Sequence, residues 1–97
     1  MPQYIIFMHG DAAREAGGDA WGPYLTMLRA SGRFDGGSSI GGGMCVSNSG
    51  EHANVSHQIV GYLLVRAESL QHARELIVGN PTFDAGGTVE VRELMID

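Results

Sequence analysis

The chain has 97 residues, enough for one compact domain whose single core buries roughly 60–65% of the unfolded surface. Its 43% hydrophobic and 18% charged content marks a globular rather than a disordered sequence. The net charge of −5 excludes the basic footprint that nucleic acid or an anionic membrane demands, because the six arginines, at 14, 29, 33, 66, 74 and 92, form no cluster.

The first element in the chain is an apolar run, Tyr4-Ile5-Ile6-Phe7-Met8-His9, that ends at the turn signal Gly10-Asp11. Its length and its β-branched and aromatic content predict a strand. No basic region precedes it, and no stretch reaches the ~18 apolar residues that span a bilayer. A first helix follows with Asp19 as N-cap, Pro23 in the first turn, and Trp21, Tyr24/Leu25 and Leu28 recurring at helical spacing. Gly32 supplies the stop. The glycine-heavy stretch from Phe34 to Val46 predicts a short second strand near Ser38–Ile40, extended or bulged through Met44-Cys45-Val46. Ser47 to Ser56 reads as a polar loop.

Gln58 to Arg66 predicts the third strand. Ser69 caps a second helix whose buried stripe is Leu70, Ala73, Leu76 and Ile77, ended by Gly79-Asn80-Pro81. Thr88 to Met95 is the last strand, entered through Gly86-Gly87. The order βαββαβ is the split-βαβ pattern of an α+β, ferredoxin-like domain over residues 1–97, with a four-stranded antiparallel sheet and two helices on one face. Cys45 is the one cysteine, so an intramolecular disulfide is excluded and a reducing, cytoplasmic setting is expected.

Two strands are apolar on both sides. Tyr4, Ile6 and Met8 oppose Ile5 and Phe7; Ile59, Leu63 and Val65 oppose Val60, Tyr62 and Leu64. The last strand instead alternates Val89 and Val91 with Glu90 and Arg92. A sheet covered by helices on one face leaves the other to water, so this pattern predicts a homodimer joined through sheet faces, a dimeric α+β barrel.

Tyr4–Gly10, Leu28-Arg29-Ala30-Ser31-Gly32 with Gly36-Gly37, Gly61-Tyr62 through Ala73, and Pro81 with Val89-Glu90-Val91-Arg92 together resemble the YCII-related family, and within it the DGPF-domain-like subgroup. The resemblance implies a small dimeric α+β barrel and, in its better-understood members, a His on the first helix with an Asp at the end of the second. Matched on Gly32-Arg33 and on Pro81, those two positions hold Trp21 and Asn80, which can neither move a proton nor supply a charge. The dehydrochlorinase- or isomerase-like chemistry of relatives is therefore not carried over. The tetrapeptide that names the subgroup is also absent from the corresponding region, roughly Glu51–Gln58.

The residues offer further candidates. His9 and Asp11, two apart at a strand end, are either a displaced acid/base pair or a strand-end histidine beside a turn-forming aspartate. His52 and His57 near Cys45 lack the three or four converging ligands of a metal site, so no metal is expected. The glycines at 36–43 have neither the lysine nor the following helix of a phosphate loop, although Ser38 and Ser39 could hydrogen-bond a ligand. Cys45 has no basic neighbour and His72 points outward. Trp21 either packs the core or walls a cleft between the first helix and the sheet.

These readings favour a small-molecule-binding protein, a degenerate enzyme lacking the family's dyad, with a cleft lined by Phe7, His9, Trp21, Ser39, Asn80 and Phe83 and no organic cofactor. The alternative is a cofactor-independent lyase or isomerase using His9 as base and Asp11 to orient it. A further alternative is a protein-interaction or regulatory module acting through the acidic, glycine-rich edge.

Overall fold

In the computed structural model, which describes residues 1–52 and 58–95, the chain order is β1 (Gln3–His9), α1 (Trp21–Ala30), β2 (Phe34–Ser39), β3 (Cys45–Ser47), β4 (Gly50–His52), β5 (Ile59–Arg66), α2 (Leu70–Glu75), α3 (Pro81–Asp84) and β6 (Val89–Leu94). His57 lies outside the described residues, and with it the loop geometry that a His52–His57 pairing would need.

Four strands form one antiparallel sheet in the order β2-β5-β1-β6, the ferredoxin-like arrangement. The doubly apolar strands β1 and β5 are the central two, each with a neighbouring strand on both sides. Tyr4, Ile6, Met8, Leu63 and Val65 point to the covered face, where they meet Tyr24 and Leu28 of α1 and Ala73, Leu76 and Ile77 at α2. Ile6 and Leu28 are fully buried, each contributing about 1.5–3 kcal/mol relative to an exposed side chain. Both helices thus cover one face.

Several boundaries differ from the sequence expectation. Asp19 does not cap α1: Ala20 occupies the N-cap in helical conformation, held by its amide to Gly17 O at 3.0 Å, with no side-chain bond. Gly32 does end α1, at φ +72°. β2 begins at Phe34, with a bulge at Asp35 that shifts the register before Gly36. It stops at Ser39, and Met44-Cys45-Val46 does not extend it. Instead Cys45–Ser47 pairs with Gly50–His52 as a separate hairpin, closed by Ser47 Oγ accepting from the Ser49 amide and by Gly50 at φ +123°. The polar segment read as loop therefore contains a turn built of its own side-chain hydrogen bonds.

Ser69 caps α2 as expected, accepting from the His72 amide. Leu70, at the first position of the helix, is exposed, whereas Ala73, Leu76 and Ile77 are buried. Gly79-Asn80-Pro81 ends one helical segment and starts another. Asn80 Oδ1 accepts from the Phe83 amide at 3.1 Å and Pro81 takes the first helical position of α3, where its missing N–H costs nothing.

Candidate functional site

Residues Trp21, Leu25 and Arg29 stand at i, i+4 and i+8 on α1, one row beside the buried Tyr24 and Leu28. That row overlooks the β2–β5 edge of the sheet, where side chains are missing. Gly37 and Gly61 both present their backbone to the helix face, opposite Leu63 and Met8 respectively. A Cβ at Gly37 would collide with the Tyr62 carbonyl oxygen, and one at Gly61 would meet Met8 Cε at 3.1 Å. The close approach of β2 to β5 thus depends on glycine, and the same glycines leave a groove of about 600 Å³ between helix and sheet.

Trp21 forms one wall of this groove, fixed edge-on to Tyr24 with ring centroids 5.8 Å apart. Tyr24 is in turn anchored by its hydroxyl, which donates to Leu76 O at 2.6 Å. Burial raises the Tyr24 phenol above its usual value, so it is a neutral donor. Ser39 lines the groove near the Trp21 end. Arg29, at the other end, places its guanidinium 5.9 Å from the centroid of the Phe34 ring and is the one charged side chain among the described lining residues. Past Val60 and Thr82 the groove meets a second hollow of about 600 Å³, bordered by His9, Gly10 and Arg14.

The remaining sequence candidates are dispersed. Phe7 lies on the open face of the sheet, paired across strands with Tyr62 and Glu90. Asn80 is fully buried and acts as a cap; its Nδ2 has no hydrogen-bond partner among the described residues, although Asn80 acts on Tyr24 in the direction that favours the phenolate. Phe83 is exposed and borders a different hollow, with Ile77, Val78 and Val89. Of the expected cleft, the structure brings together Trp21 and Ser39.

His9 and Asp11 are engaged separately. His9 Nε2 lies 2.9 Å from Glu90 Oε1, with the imidazole 16% exposed, and Arg92 Nη1 donates to Glu90 Oε2 at 3.3 Å. The hydrogen bond from His9, then that from Arg92, pulls the Glu90 carboxyl below its ordinary value. Asp11 instead accepts from Thr88, by the amide at 2.8 Å and the hydroxyl at 2.6 Å, and these bonds lower its pKa.

Sequence reasoning missed Arg29, whose signal was its place four residues after Leu25 and eight after Trp21. It also missed Glu90, which becomes a neighbour of His9 only once β6 is paired with β1. Cys45 is half-buried on β3. Among the described residues no three of His, Cys, Asp and Glu converge on a point that could hold a metal ion, and no helix is long and apolar enough to cross a membrane.

Residues 3–96 match the model of a family described as the YCII-related domain. A solved structure of a 5-chloro-2-hydroxyhydroquinone dehydrochlorinase from Burkholderia phenoliruptrix, in complex with 2,5-dihydroxybenzoquinone, is similar in fold, with a TM-score of 0.54. The similarity covers 96% of this chain and 93% of that one at 16% identity. Among curated proteins, none matches the chain.

Proposed function

This chain belongs to the YCII-related family, and we propose that it binds a small planar organic molecule in the groove between α1 and the β2–β5 edge. The observation that carries this reading is the backbone floor at Gly37 and Gly61, which keeps about 600 Å³ open beside an aromatic wall. Ligand sites are concave, mostly apolar and furnished with few polar groups, and the volume is in their usual range of roughly 300–1,000 Å³. The ring-sized ligand of the structurally similar dehydrochlorinase supports the choice of ligand class. With Trp21 and Asn80 at the matched positions of the family's His–Asp pair, binding without turnover by that pair is the reading we favour.

Trp21 is the sole tryptophan, so its fluorescence reports the groove directly. Titration with 2,5-dihydroxybenzoquinone, followed in parallel by calorimetry, is expected to give saturable binding of one molecule per chain. Gly61→Leu, which fills the floor by displacing the flexible end of Met8, should abolish binding while leaving the far-UV circular dichroism unchanged. Binding that is indifferent to Gly61→Leu, or none across a panel of phenols, quinones and aromatic acids, would remove this reading.

A second reading keeps proton transfer of the lyase or isomerase type, without a cofactor. The 2.9 Å contact supports His9 as the base with Glu90, rather than Asp11, as the orienting carboxylate. We further read the protein as a homodimer joined through the open face of the sheet.

A further inference from the structure

We infer that the groove selects an aromatic monoanion, its carboxylate or enolate held by Arg29 and its ring set against Trp21; this rests on the groove being the ligand site proposed above. The charge distribution carries the argument. The chain is acidic, at net −5, yet among the described residues no carboxylate lines the groove and the one charged side chain there is a cation. An anion entering there meets no like charge inside it. A cationic ligand would find no carboxylate among the described lining residues to neutralise it.

Arg29 also differs from the arginines that serve the fold. Arg66 is bonded to Asp35, Arg92 to Glu90, Arg14 to the Asp84 carbonyl, and Arg33 to His72. Arg29 makes no ion pair or hydrogen bond among the described residues, while the Phe34 ring holds its guanidinium at the groove's end. It is thus positioned by an interaction that leaves its five N–H donors available, the arrangement suited to a bidentate carboxylate.

Spacing narrows the ligand further. Trp21 and Arg29 are eight residues apart on one helix, about 12 Å along the axis, with the guanidinium held at the far end of the groove over Phe34. The gap suits one or two rings bearing the anionic group, not an extended chain. At the Trp21 end the Ser39 hydroxyl makes no hydrogen bond among the described residues and is free to meet a ring hydroxyl.

The test compares 4-hydroxybenzoate with its neutral isostere 4-hydroxybenzamide, by calorimetry on the full chain. The acid should bind about tenfold tighter, the size expected of one charge-assisted pair at a partly exposed site, and the gap should narrow as salt is raised. Arg29→Gln should bring the acid down to the amide and leave the amide unchanged; Arg29→Lys should restore part of the difference. If wild-type protein binds the amide as tightly as the acid, or Arg29→Gln weakens both alike, the anion inference falls and the groove stands. If neither compound binds, the inference also falls, and the 2,5-dihydroxybenzoquinone titration decides whether the groove falls with it.

Discussion

Asp11 joins two chain segments that are 77 residues apart, since Thr88 gives it both a backbone and a side-chain hydrogen bond. The His9 amide donates to Thr88 O at 3.0 Å, so the exit of β1 and the entry to β6 are tied by three bonds. These bonds favour the ionised carboxylate and lower its folded-state pKa. A depressed carboxyl contributes stability that is present above its unfolded value, about 3.9, and is lost as pH falls through the lower folded value. Asp11→Asn, which keeps one acceptor and loses the charge, should therefore melt below the wild type at neutral pH. The two melting temperatures should converge as pH drops toward about 2, below the unfolded carboxyl value. Parallel melting curves with a constant gap would show that shape, not charge, holds this latch.

Asn80 makes a comparable connection between helices. Its Oδ1 accepts from the Phe83 amide in the first turn of α3, and its side chain is fully buried. Asn80→Ala leaves the Phe83 amide without that acceptor and should cost about 1–2 kcal/mol, read as a lower denaturation midpoint with an unchanged slope. An unchanged midpoint would mean that the short helix is held by Pro81 and Ala85 packing alone.

The contrast between β5–α2 and β2 explains what the residues reveal by themselves. Ile59–Arg66 and Leu70–Glu75 carry their own instructions, a β-branched apolar run and then a serine-capped stripe, and both form where those instructions place them, although Leu70 of the stripe is exposed and the helix gives way to turns after Glu75. Phe34–Ser39 carries almost none, because Gly36 and Gly37 have no side-chain periodicity and the strand is defined by its pairing to β5. The same limit applies to the site. Trp21 shows in the helical pattern, but the floor beneath it is an absence of side chains, visible only after the strands are ordered. His9 and Asp11 are neighbours in sequence, yet the sheet gives each a partner from around β6, because pairing between strands outranks proximity along one.

The open face of the sheet is the largest feature that one chain leaves incomplete. Ile5 and Phe7 of β1 stand beside Leu64 and Tyr62 of β5 at its centre, all half-buried, while the edge strands present Ser38, Glu90 and Arg92 around them. An apolar centre with a polar rim is the anatomy of an interface, and a second copy offers the matching patch by symmetry. Burying even ~600 Å² of apolar surface contributes on the order of 15 kcal/mol gross, more than enough to offset the lower estimates of the association cost. Sedimentation at low micromolar concentration should therefore give a species of twice 10.3 kDa. Leu64→Glu sets a charge in the middle of the patch without touching the helix-side core, so it should yield a folded monomer with unaltered circular dichroism. A wild-type species of 10.3 kDa would sink the dimer. A dimeric Leu64→Glu variant would move the interface to another surface, because desolvating a new carboxylate in the apolar centre of the patch costs more than the contact returns.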